Sequence, residues 1–381
     1  MAEPSTLTRD PRIDQARGIA CLVMVQGHAF DAWVSPEHKA GSAYLLTRVF
    51  ATLPLPAFLV LAGAAVAYRT RAAQHRGESA WQLRGALLRR GLTVTGAGYL
   101  VNAGYVLLDG WESWSVLLRA DVLHVIGLSI AALGLCTGGT TGPPRCSRVG
   151  TRVLALGATW TVLCPLLSRM GSWLSESHGD SAAIHVLAFV GAPFIDVPGI
   201  TQMPLVPLFA WSAIGWLAGA WLTLHRLHGQ RDRPLLLIAG MGLITSWLGA
   251  VGTDLSLQVL GGTLSRRHGA IAFNVIEYAG RGLLVLGVAP LLAARLPGRA
   301  RNVVVHFGRA SLWAYVFHIP LCYGRLAAPF KARMEVETAT PYVIALMVVS
   351  YAVVVLRLQG PSAVQQIIRR TTLARRTSET P

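Results

Sequence analysis

Residues 14–31 read D-Q-A-R-G-I-A-C-L-V-M-V-Q-G-H-A-F-D. The run is as apolar as a bilayer core requires, yet it carries Asp14, Arg17, His28 and Asp31. On a helix, the eleven steps from Arg17 bring His28 back to within about 20° of the same face, roughly 16 Å along the axis. Asp14 and Asp31 lie one turn outside this pair, at i−3 and i+3. One edge of a lipid-length helix therefore presents acid, base, imidazole and acid. Ionisable groups at membrane depth are costly and by default mark a function.

The rest of the chain fits that setting. Of its 381 residues 53% are hydrophobic and only 14% charged, against roughly 25% charge in soluble domains. Apolar runs near the ~20 residues of a spanning helix recur at about 16–34, 49–68, 92–108, 121–136, 153–167, 204–224, 234–251, 271–294, 303–324 and 342–358. The expected fold is all-α: a polytopic integral membrane protein of about ten transmembrane helices. It divides into a cytoplasmic tail (1–15), one transmembrane domain (16–358) and a basic cytoplasmic tail (359–381) that suits an amphipathic surface helix.

The net charge of +16 is a matter of topology. With a cytoplasmic N-terminus, inside segments, counted to include Arg17 and Arg357, hold 23 Lys/Arg and outside loops nine; the acids run six inside and eleven outside. This is the positive-inside pattern. It places both termini and the segments 69–91, 137–152, 225–233 and 295–302 in the cytoplasm, within a plasma or inner membrane. The lipid bilayer is the expected partner of the basic excess, and nucleic acid is not. No cleavable signal is expected. Cys21, Cys136, Cys146, Cys164 and Cys322 form no C-x-x-C pair, so neither a zinc site nor a disulfide framework is indicated and no metal is expected. The 168–203 stretch reads as the longest outside segment, with His178, Asp180, His185 and Asp196 and a re-entrant or interfacial piece around 183–195.

Other spans also carry polar groups. Asp121 and His124 lie one turn apart near the outer end of the fourth. Glu277 and Arg281, at i and i+4 on the eighth, are placed to neutralise each other. Arg309 begins the ninth, and His318 follows about 13–14 Å along it, just before Pro320, where a freed helical carbonyl is positioned to hold it.

Six stretches together resemble a family. Arg17-x10-His28 preceded by Asp14 is similar to the first-helix signature of integral-membrane acyltransferases, including the acyltransferase-three family. R-G-I-A-C-L-V-M-V (17–25), L-P-L-P-A-F-L-V-L-A-G (53–63), L-R-R-G-L-T-V-T-G-A-G-Y-L (88–100), D-V-L-H-V-I-G-L-S (121–129), P-L-V-P-L-F-A-W-S-A-I-G-W-L-A-G (204–219) and F-G-R-A-S-L-W-A-Y-V-F-H-I-P-L (307–321) resemble, in order, the relatives of heparan-α-glucosaminide N-acetyltransferase. The resemblance implies transfer of an acyl group, acetyl above all, from cytoplasmic acyl-CoA to a saccharide or glycolipid acceptor outside. It also puts a histidine at the chemistry. The acyltransferase-three motif places that histidine at His28; the heparan-type pattern places it in the following loop, which here carries His38.

Such chemistry needs a base for the incoming hydroxyl or amine and a donor for the tetrahedral oxyanion. His28 suits the first role, with Asp31 expected to orient it, and a covalent acyl-histidine is an alternative route. Asn102, Tyr99, Ser311, Tyr315 or an unpaired backbone amide are candidates for the second, and the sequence does not choose among them. Acyl-CoA carries phosphates, which arginine forks suit. Arg84, Arg89 and Arg90, within a loop of six arginines that includes Arg69, Arg71 and Arg76, are the expected donor contacts, with Arg17 beneath His28. Asp121, His124 and His318 are the expected acceptor contacts. A homodimer is left open. A transporter of a small metabolite or saccharide is the alternative from another class, although no internal repeat relates the two halves.

Overall fold

The computed structural model describes residues 10–109, 114–138, 141–177, 182–227, 232–259 and 265–360. Its regular elements are α1 (Pro11–Trp33), α2 (Ser42–Ala51), α3 (Pro54–His75), α4 (Ala80–Asp109), α5 (Trp114–Leu118), α6 (Val122–Cys136), α7 (Cys146–Ser177), α8 (Ala182–Gly191), α9 (Leu205–Leu227), α10 (Arg233–Val259), α11 (Ser265–Arg295), α12 (Gly298–Arg309), α13 (Ser311–Tyr323) and α14 (Val336–Gln359), with 3-10 turns at Pro36–His38 and Arg325–Ala327. Among the described residues there is no strand, only the isolated bridges Val34–Met334 and Ala120–Thr201.

Each of the ten apolar runs overlaps a helix. Six spans among the described residues are long and apolar enough to cross a membrane: 42–75, 146–177, 205–225, 233–256, 273–295 and 336–359. Four runs are not among them. The apolar part of α1 is interrupted by Asp14, Arg17, His28 and Asp31, and α6 is only 15 residues long. The run at 303–324 is not one helix. It breaks at Ala310 (φ −118°, ψ 28°), leaving a basic amphipathic α12 and a 13-residue α13. Polar residues also concealed the length of α7, which runs 32 residues and reaches Ser177, well past the expected 153–167. Leu163, Leu166, Met170 and Trp173, at helical spacing, form an exposed apolar stripe along it, as a helix facing lipid would. The stretch expected to be re-entrant or interfacial falls on α8; it and residues 192–200 bury Ala188, Ala192, Ile195, Val197 and Ile200 against Leu174 of α7. His178 and Asp180, the first nine residues and the tail from 361 on lie outside the described residues.

The chain forms two compact units. The first comprises residues 1–16 and 52–295. Small residues set its closest helix crossings. A Cβ on Gly215 of α9 would fall on the Val60 carbonyl of α3, and one on Gly63 would fall on the Ser212 carbonyl. In α10 and α11, Gly249 and Gly280 face the Glu277 and Ser246 backbones in the same way. Lipid offers no hydrophobic drive between helices, so close backbone packing and interhelical hydrogen bonds hold them together. Ser212 Oγ donates to Leu59 O at 3.1 Å, and Trp211 Nε1 to Val275 O at 2.9 Å.

The second unit comprises residues 17–51 and 296–381. Val25, Ala29, Phe30, Trp33 and Val34 from the end of α1 pack with Tyr44, Cys322, Ala339, Val343 and Leu346. The segment after α13 is sewn to the end of α1 by main-chain bonds: Ala332 N–H to Ala32 O (2.9 Å), Arg333 N–H to Trp33 O (3.0 Å) and Ser35 N–H to Met334 O (2.9 Å). This clamps the C-terminal ends of α1 and α13 side by side.

Candidate functional site

His28 and His318, 290 residues apart, meet inside the second unit. His28 Nδ1 lies 3.0 Å from His318 Nε2. The rings are nearly parallel, 20° between planes, with centroids 5.2 Å apart. His318 is fully buried, and its Nδ1 lies 2.7 Å from the Ala314 carbonyl one turn back on α13. The expected carbonyl was one freed by Pro320, which is that of Val316; the ring turns to its own preceding turn instead.

These two contacts determine the tautomers of the neutral pair. A carbonyl only accepts, so His318 Nδ1 carries the hydrogen and donates to Ala314 O. His318 Nε2 is then the lone-pair nitrogen and accepts from His28 Nδ1–H. His28 is left with its basic lone pair on Nε2. Tyr323, on the last turn of α13, approaches the His28 ring edge-on at 5.8 Å, and Tyr315 meets His318 in the same way at 5.8 Å.

Asp31 sits beside the dyad, but the partner that His28 Nδ1 engages is His318. The Asp31 carboxylate accepts from Tyr323 Oη (3.0 Å) and Tyr44 Oη (3.2 Å). Arg48 approaches it at 3.5 Å and Lys39 at 3.9 Å, while Lys39 Nζ also donates to the Asp31 main-chain carbonyl at 2.7 Å. Asp31 thus anchors Tyr323, which in turn borders His28. Neither tyrosine was identified from sequence. The available signal was the carboxylate itself, since a half-buried carboxylate needs donors and tyrosine supplies one on an apolar body. His38 lies at the surface, its Nδ1 2.8 Å from Ser35 Oγ and its Nε2 3.1 Å from Glu335. Arg17 is half-buried on α1, and because that helix is unbroken, the i, i+11 relation to His28 holds.

The remaining expected site residues lie in the first unit. Asp121 caps α6: its carboxylate accepts from Val122 N–H at 2.7 Å, and its own N–H donates to His124 Nδ1 at 3.0 Å, closing a reciprocal capping box. His124 is fully buried, with Tyr99 edge-on at 4.2 Å. Asn102 donates to the carbonyls of Leu117 and Arg119, and Tyr315 is an oxyanion candidate whose ring meets the dyad. Glu277 and Arg281 form the expected ion pair, and Arg281 also lies over the Tyr278 ring at 4.5 Å. Arg84 stacks on Trp81 at 5.0 Å, while Arg89 and Arg90 are exposed on α4. Arg69 and Arg76 bind Glu78 at 2.6 and 2.7 Å; the Arg69 hydrogen bond above all holds the Glu78 carboxyl below its ordinary value. Among the described residues, no cluster of three His, Cys, Asp or Glu side chains is arranged to hold a metal ion.

A family model described as an acyltransferase domain, that of the acyltransferase-three family, matches residues 10–356, nearly the whole chain. No curated protein matches the chain.

Proposed function

Because the chain belongs to the acyltransferase-three family, we propose that it transfers an acyl group, acetyl first among candidates, from cytoplasmic acyl-CoA to a hydroxyl or amine of a saccharide or glycolipid outside the membrane, with His28 as general base. The observation that carries this reading is the chain of contacts Ala314 O, His318, His28, which orients one imidazole with its lone pair on Nε2. A general base must hold that lone pair at a defined place.

His28 Nε2 accepts the acceptor's proton as its oxygen or nitrogen forms a bond to the thioester carbonyl carbon. The resulting tetrahedral oxyanion takes a hydrogen bond, and Tyr315 is the candidate donor. When the carbon–sulfur bond breaks, the thiolate leaves and recovers the proton from His28 Nε2. As His28 becomes an imidazolium, its Nδ1–H bond to His318 becomes charge-assisted and strengthens. His318 therefore acts as a positioning residue, and Asp31 supports the Tyr323 wall. In this reading the chain crosses the membrane with both termini cytoplasmic, so that Arg84, Arg89 and Arg90 face the donor side. In this reading, the acceptor role expected for His318 passes to the dyad, and Asp121 and His124 serve the α6 cap.

The test is turnover of labelled acetyl-CoA by the purified protein in lipid nanodiscs. The native protein is expected to transfer or hydrolyse the acetyl group, whereas a transporter would leave the thioester intact. His28→Ala should lower turnover by about 10²–10⁴-fold, and His38→Ala should retain it. An active His28→Ala protein beside an inactive His38→Ala protein would move the chemistry to the loop histidine and overturn the assignment.

A further inference from the structure

Outside segments of membrane proteins are poor in Lys and Arg, and the expected topology places only nine of them there in this chain. Five of the nine, Lys39, Arg48, Arg325, Lys331 and Arg333, fall in the two segments of the second unit that follow α1 and α13. Main-chain bonds between residues 32–35 and 332–334 hold these segments together at the end of α1 that carries His28. Inside positive charge gives no reason for cations here, so they need another.

The closest group of charges surrounds Asp31. Its carboxylate already accepts from the Tyr323 and Tyr44 hydroxyls. Arg48 Nη1 stands 3.5 Å and Lys39 Nζ 3.9 Å from the same carboxylate oxygen. Lys39 Nζ gives a hydrogen bond to the Asp31 main-chain carbonyl and lies over the Tyr44 ring at 5.7 Å. Arg48 makes no hydrogen bond among the described residues, and its side chain is 42% exposed. Two cations beside one carboxylate leave one positive charge in excess. Of the other acids in these segments, Glu335 is engaged by His38 at 3.1 Å, and Glu37 and Glu337 are exposed.

A half-open guanidinium offers five donors in a fork that fits two oxygens of one anion. Its position is close to the dyad: Arg48 meets Asp31, Asp31 holds the Tyr323 hydroxyl, and the Tyr323 ring borders His28 at 5.8 Å. We propose that Arg48, with Lys39 beside it, selects an acceptor saccharide bearing an anionic group, a carboxylate or a phosphate, and anchors that group while a hydroxyl of the same saccharide reaches His28. This selection rests on the acyl-transfer reading and narrows its acceptor from any saccharide to an acidic one.

The full chain in neutral phosphatidylcholine nanodiscs is titrated with methyl β-glucoside, methyl β-glucuronoside and glucose 6-phosphate, with binding read by saturation-transfer NMR and no acyl donor present. At least one charged sugar is expected to bind about tenfold tighter than methyl β-glucoside, and the tighter of the two names the anionic group. Its advantage should shrink at high salt, which screens partly exposed charges. Arg48→Gln should bring that sugar level with methyl β-glucoside, and Arg48→Glu should place it below. A thermal-shift control checks that both variants fold, and the native preference stands as a test without them. Equal binding of the three sugars by the native protein, or a charged-sugar preference that survives Arg48→Glu in a folded protein, overturns the selection. Transfer from labelled acetyl-CoA is read separately on the same sugars, as the ratio of their kcat/KM values. Anion-selective binding without transfer would sink the enzyme and keep the anion site. Transfer at equal kcat/KM to neutral and charged sugars would keep the enzyme and sink the anion site.

Discussion

Replacing His318 by leucine offers the sharpest test of the dyad. The residue is fully buried and makes two hydrogen bonds, to His28 and to Ala314 O. Leucine fills a similar space, and the Ala314 carbonyl keeps its helical main-chain partner. Removing this one partner takes away the acceptor of His28 Nδ1–H, a cost of about 1–3 kcal/mol, so the variant should fold with a lower melting temperature. Its catalytic cost falls on the transition state. A hydrogen bond between neutral groups contributes about 0.5–1.5 kcal/mol, and one to a charged group about 1.5–3 kcal/mol. The bond from His28 Nδ1–H gains that difference, roughly 1–1.5 kcal/mol, only as the imidazolium forms. At about 1.4 kcal/mol per decade this is close to tenfold in kcat, and loss of the enforced tautomer carries it toward ~100-fold. KM should stay near its native value, because the strengthening of this bond is realised only in the transition state. His318→Gln places an amide oxygen near the position of Nε2 and should recover most of the rate. The assay is steady-state turnover of labelled acetyl-CoA in nanodiscs, with a thermal-shift control for folding. A folded His318→Leu protein with native kcat, or one in which only KM rises, would refute the orienting role.

Three further outcomes are expected. Arg89→Ala with Arg90→Ala should raise KM for acyl-CoA more than it lowers kcat, since phosphate contacts are shared by ground and transition states; an unchanged KM would leave these exposed arginines a purely topological role. Gly215→Ala should destabilise the first unit by about 1–3 kcal/mol, read as a lower melting temperature, because the new Cβ meets the Val60 carbonyl. Gly240→Ala, where a Cβ meets nothing within 4 Å, should be neutral or stabilising, and equal effects at the two positions would contradict the α3–α9 packing. The Glu78 carboxyl is held below its ordinary value of 4.5 by Arg69 first and Arg76 after it. Its contribution is therefore complete above pH 4.5 and is lost as pH falls through the lower folded value, so the melting-temperature gap between native and Glu78→Gln protein should close in that acid range; a gap that persists there would mean the pair is not electrostatic.

Much of the fold was legible because membrane helices announce themselves locally. Apolar length locates them; the Arg17 to His28 spacing is a property of one helix, and so is the Glu277–Arg281 pair. The misreadings have the same local origin. Ser168, Arg169 and Ser172 dilute the apolar pattern of α7, although Met170 and Trp173 still continue its exposed stripe. The break at Ala310 lies inside an apolar run with no proline or glycine at the break itself, so composition could not reveal it.

The sequence by itself determined that this is a helical membrane protein with a polar first helix, because lipid demands internally satisfied backbone and tolerates charge only for a purpose. It also singled out His28, through a spacing confined to a single helix. Only the tertiary structure decided what His28 faces. The partner lies 290 residues away, and no periodicity links α1 to α13; the close packing of their ends, tied by the Ala332, Arg333 and Ser35 main-chain bonds, does so. The same holds for Asp31, whose donors come from α2 and α13.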